Sequence, residues 1–203
     1  MTRHDVTELA LPSASLPPTQ EMEARPKWSP MLRALGAHWC VDGELCKFKD
    51  GWCPQCGAPQ RRPWPETWMS VAFIMAERSY DPRLQVGAII VSADNTQMLS
   101  VGYNGNYKGG PHQHESTEPG KSGFIHAEVN ALVKCDFNFA KKKHMYVTHM
   151  PCKDCAKLII NAEIARVVWK IPYRLTEGVD LLKSVGVEVL SFDEAIDQAL
   201  AAR

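Results

Sequence analysis

A three-layer α/β domain with a mixed sheet is predicted for residues 66–203. Short β-branched runs alternate with segments of helical period from Glu66 onward, turn residues separate them, and 45% apolar content supplies a core. ETWMSVAFIMAERSY carries Trp68, Val71, Ala72, Met75 and Ala76 on one helical face, and DPR ends that helix after the RRPWP break at 61–65. VGAIIV and MLSVGY read as strands around the turn residues ADNT. A Gly-, Pro- and His-rich loop follows from Asn104 to about Gly123. HAEVNALVKC reads as a helix, HMYVTHM as a strand, and CKDCAKLIINAEI as a helix. ARVVWKI and VEVLSF are the remaining strands, with LTEGVDLLKSVG and DEAIDQALAA the remaining helices.

Length and charge narrow the function. At roughly 150 residues per domain, 203 residues hold one main domain and an appendage. Lys and Arg number 23 and so do Asp and Glu, so no basic excess draws nucleic acid by counterion release. No run approaches the roughly 20 apolar residues of a membrane span, and MTRHDVTELALPSASLPP has no continuous apolar block, so a cytoplasmic location is expected.

In a reducing compartment clustered cysteines are more often metal ligands than disulfides. Residues 1–27, rich in Pro, Ser, Thr and Glu, read as a disordered tail. Residues 28–65 are too few for a conventional core. Their Cys40, Cys46, Cys53 and Cys56 suit a closed four-thiolate site holding a structural zinc, with CPQCG like one knuckle of a zinc ribbon. The Cys40–Cys46 spacing is wide, and His38 is an alternative ligand.

The chemistry concentrates in His126-Ala127-Glu128 and Pro151-Cys152-Lys153-Asp154-Cys155. One His and two Cys give three zinc ligands and leave a fourth position open, as in a catalytic site. Cys152 and Cys155, three apart at a helix start, face the same way, and the helix N-terminus favours thiolate. Glu128 reads as a proton carrier and not a ligand. Residues two apart on a helix point about 200° from each other. His126 must therefore stand at the first turn, where the preceding loop sets its direction.

The H-x-E…P-C-x-x-C pattern resembles that of zinc-dependent nucleobase deaminases. Together QVGA, GYNG, HAExNA and PCxxCAK make residues 66–191 similar to the cytidine and deoxycytidylate deaminase family. The resemblance implies a mixed five-stranded sheet flanked by helices and a homo-oligomer. It implies hydrolytic removal of the exocyclic amine of a cytosine nucleotide, dCMP to dUMP, with a catalytic zinc on His126, Cys152 and Cys155 and Glu128 shuttling the proton. It also makes Asn104 a sugar or base contact. The loop before HAE has no arginine or cysteine, and Lys121 and Ser122 are candidate phosphate contacts by residue type.

Tyr173 is a candidate substrate contact or a structural tyrosine. His112 and His114 are expected as solvated loop residues in preference to a second metal site, and Cys135 as a small hydrophobe in a helix. Two other functions stay open beside the nucleotide deaminase. One is deamination of a base within tRNA or single-stranded nucleic acid, and the other is a zinc-containing binding protein without turnover.

Overall fold

The computed structural model describes residues 62–116, 122–136 and 142–202, the short runs 37–39, 45–47 and 53–55, and the single residues 49, 118 and 138. The tail expected over 1–27 lies outside the described residues, as do Cys40, Cys56 and Lys121. In the cysteine-rich segment, β1 (Ala37–Trp39) and β2 (Leu45–Lys47) pair antiparallel, with His38 opposite Cys46. Cys53 is buried, ahead of a turn at Pro54 and Gln55.

The main domain runs α1 (Trp64–Ala76), β3 (Gly87–Ser92), β4 (Met98–Tyr103), α2 (Ala127–Leu132), β5 (Lys143–His149), α3 (Lys153–Asn161), β6 (Ile164–Ile171), α4 (Glu177–Ser184), β7 (Glu188–Ser191) and α5 (Phe192–Ala201). The five strands form one mixed sheet ordered β4-β3-β5-β6-β7. Its first two ladders are antiparallel and its last two parallel. The mixed five-stranded α/β/α fold is therefore the one expected.

β3 shows why the domain has three layers. All six of its residues are buried, because both faces of the strand are covered. Ala88 and Ile90 point to the side of α2, α3 and α4, where they join Ala131, Ile159 and Leu182. Ile89 and Val91 point the other way, to Met69 and Ala72 of α1 and Ala195 of α5. Period-two alternation divides one strand between two cores.

Two boundaries move. α1 begins at Trp64, inside the expected RRPWP break, because Pro65 occupies the first turn, where no backbone N–H is needed. α2 stops at Leu132 and not at Cys135, whose N–H bonds to Leu132 O in a closing turn while its side chain joins the core.

Candidate functional site

The starts of α2 and α3 converge on one face of the sheet. His126 is the residue before α2, with extended backbone (φ −68°, ψ 155°), so it escapes the helical geometry that would turn it away from Glu128. Cys152 takes the same place before α3 (φ −73°, ψ 169°), and its sulfur accepts the Cys155 N–H at 3.5 Å. His126 Nδ1 then lies 3.2 Å from Cys155 Sγ and 3.5 Å from Cys152 Sγ.

These three donor atoms lie within 4.8 Å of one another, and among the described residues they are the one group placed to hold a metal ion. The donor set fits zinc. With Zn–S near 2.3 Å and Zn–N near 2.0 Å, tetrahedral coordination separates N from S by about 3.5 Å, close to both distances found. Two thiolates and an imidazole leave one position of the four for water or substrate.

The electrostatics suit such an ion. Cys152 is drawn down to about 4, first by the hydrogen bond with the Cys155 thiol and then by that with His126, while burial opposes. The same bond and burial push the Cys155 thiol up. His126 is raised by its bond to Cys152. Glu128 is 4% exposed, and burial raises its carboxyl against the pull of its own backbone N–H and of His126. A buried carboxyl shifted upward is suited to taking up and giving back a proton.

A cavity of about 710 Å³ opens onto this group, a volume usual for a small-molecule site. Ser122 and Tyr173, both expected at the site, line it. Asn104 also lines it, but its amide is already engaged. Its Oδ1 accepts the Val86 N–H at 2.8 Å and its Nδ2 donates to Leu84 O at 2.8 Å.

The sequence reading passed over three further lining residues. Arg83 is the one Lys or Arg among the described residues lining the cavity. In the sequence, its DPR segment reads as a helix stop. Asp81, 5% exposed, organises that segment: its Oδ1 accepts the N–H groups of Arg83 (2.8 Å) and Leu84 (3.2 Å) and lies 3.0 Å from His114 Nε2. His149 lines the cavity too, with its pKa lowered by burial. His114 is thus no solvated loop residue: it is held between Asp81 and the edge of the Phe124 ring. His112 stacks on Tyr80. Neither belongs to a metal-competent group among the described residues. There, too, no helix is long and apolar enough to cross a membrane.

Residues 62–171, more than half of the chain, match the cytidine and deoxycytidylate deaminase zinc-binding region. Human deoxycytidylate deaminase is 40% identical over 114 residues, which make up 52% of this chain and 64% of that one, just under two thirds of its length. ComE operon protein 2 of Bacillus subtilis is 35% identical over 146 residues, covering 68% of this chain and 76% of that protein. The structure of dCMP deaminase from cyanophage S-TIM5 in complex with dCMP and dUMP superposes with a TM-score of 0.55. Its identity is 34%, over 62% of this chain and 94% of the phage chain.

Proposed function

We propose that this chain, which belongs to the cytidine and deoxycytidylate deaminase family, hydrolyses the exocyclic amine from a cytosine nucleotide and converts dCMP to dUMP. The observation that carries the reading is the buried Glu128 beside the His126–Cys152–Cys155 donor set, at a cavity that also has Arg83 in its wall. A related phage enzyme crystallised with dCMP and dUMP supports the choice of nucleotide.

His126, Cys152 and Cys155 would hold the zinc. A zinc ion there supplies Lewis acidity, which makes water nucleophilic near neutral pH. Hydrolysis forms a C–O bond at the amine-bearing ring carbon and breaks the C–N bond. Glu128 takes the proton that the water gives up and returns it to the nitrogen that departs as ammonia. Ser122 and Tyr173 face the same cavity and are our candidates for substrate contacts, with Lys121 next to Ser122 in sequence. Arg83 is the group whose charge matches a monophosphate.

The reading extends to three further points. Cys40, Cys46, Cys53 and Cys56 hold a second, structural zinc; the cross-strand placement of Cys46 beside His38 and the burial of Cys53 are consistent with a compact module there. Thiolate ligation at both centres fits a reducing compartment such as the cytoplasm. Exposed Ile74 and Val133 are apolar surface that a homo-oligomer would cover.

The experiment is uracil-product formation from dCMP, CMP, dCTP, deoxycytidine and cytosine-containing oligonucleotides, with Glu128→Ala as control. Turnover of dCMP that vanishes in the variant is the expected result. Turnover of oligonucleotides alone would move the function to polymeric substrates, and no turnover with zinc bound would leave a binding protein.

A further inference from the structure

Helix α4 begins directly against the turn that presents Cys152. Gly178, buried in the first turn of α4, sits on the backbone of Pro151 and Cys152. A β-carbon at position 178 would overlap Pro151 O and stand 2.8 Å from both the carbonyl carbon and the carbonyl oxygen of Cys152. The three nearest atoms are all backbone, so none of them can rotate out of the way as a side chain would.

The same carbonyl has work inside α3. Cys152 O accepts the Ala156 N–H at 2.9 Å, and the Cys152 sulfur accepts the Cys155 N–H. Displacing the carbonyl therefore displaces the first turn of α3 and the thiol it carries. The Lys153–Glu177 ion pair, 3.4 Å across this seam, is more than half exposed at both ends and holds the seam weakly. The glycine contact is the part of the seam that fixes distance.

We propose that Gly178 is a positioning residue for Cys152: the missing β-carbon lets α4 act as a rigid stop behind the turn and sets where that thiolate meets a metal ion. The proposal rests on the reading of Cys152 as a zinc ligand. Metal sites tolerate ligand displacements of only about 0.2 Å, and an overlap with unyielding backbone exceeds that. Disturbing groups that orient ligands typically lowers metal affinity or activity by about 10- to 100-fold.

The test compares wild type, Gly178→Ala and Met69→Ala, a core truncation on α1, on the opposite face of the sheet from the seam. Zinc release to a chelator and the thiolate-to-cobalt absorption of the cobalt-substituted protein are read beside kcat and KM for dCMP. We expect Gly178→Ala to release zinc about 10-fold faster or more, to shift the cobalt band, and to lower kcat while KM holds. Met69→Ala should lower thermal stability and leave the folded protein's cobalt band unchanged. If Gly178→Ala does not fold, adding Thr176→Gly loosens the entry to α4 so that the helix can back away, and faster release than wild type is still expected. Release and spectrum matching wild type in the glycine variant would overturn the positioning role alone. A wild type whose bound metal does not depend on Cys152 would overturn it together with the ligand reading.

Discussion

The side-chain oxygen of Asn104 accepts the backbone N–H of Val86 at 2.8 Å, tying the end of β4 to the segment that leads into β3. Its amide nitrogen donates to Leu84 O, and Asp81 Oδ2 lies 3.4 Å from the same nitrogen. Asn104 thus anchors the 81–86 segment, on which Arg83 stands at the cavity wall. Asn104→Ala leaves the buried Val86 N–H unpaired, at a cost of about 1–3 kcal/mol. A lower unfolding temperature and a raised KM for dCMP are expected together. An unchanged unfolding temperature would mean that the amide bonds carry no stability.

Glu128→Gln separates proton transfer from metal holding. The amide keeps the shape of the side chain and removes the group that accepts a proton, so turnover should fall by about 100-fold to 10,000-fold. Zinc content should stay at the wild-type level, since Glu128 is outside the donor set. Burial disfavours the ionised carboxyl, so the variant should unfold no more readily than wild type. Loss of zinc along with activity would make Glu128 a ligand.

Much of this was legible in local sequence. β3 and its two faces follow from an unbroken apolar run, and the H-x-E spacing already required His126 to stand at the first turn, where the preceding loop sets its direction. The structure meets that requirement with an extended His126. What could not be read is long-range pairing. Nothing near His114 in sequence announces Asp81, 33 residues earlier, and nothing near Cys152 announces Gly178. Pro65 misled for a different reason: a proline that ends one helix is equally suited to begin another.

Arg83 gives a prediction about phosphate. A charged hydrogen bond between guanidinium and phosphate contributes about 1.5–3 kcal/mol, about 10- to 100-fold in binding. Arg83→Ala should therefore raise KM for dCMP by that factor and leave kcat/KM for deoxycytidine, which has no phosphate, near the wild-type value. Arg83→Lys should recover part of the loss. Equal losses for nucleotide and nucleoside would show that Arg83 shapes the loop and does not meet the phosphate.

His144 predicts how stability responds to acid. It lies on β5 beside Arg166 of β6, which in turn is beside Glu188 of β7, and on its other side it faces Val91 of β3. Burial and the Arg166 charge lower it from 6.5 to about 4, Glu188 opposes weakly, and its Nδ1 has no hydrogen-bond partner among the described residues. Arg166 turns its charge to Glu188 through bonds of 2.7 and 3.0 Å, so that carboxylate is already paired and does little to welcome a proton on the imidazole. A group depressed in the folded state binds more protons when unfolded, so its contribution is complete above pH 6.5 and is lost as the pH falls toward 4. The loss reaches at most about 3 kcal/mol. His144→Leu removes the titration and keeps the volume. The difference in unfolding free energy between wild type and this variant, measured by urea at pH 7 and pH 4.5, should move against wild type on acidification. The subtraction cancels the carboxylates and any metal loss common to both. A difference independent of pH would mean that water or a rearranged Glu188 reaches the imidazole and stabilises its charged form.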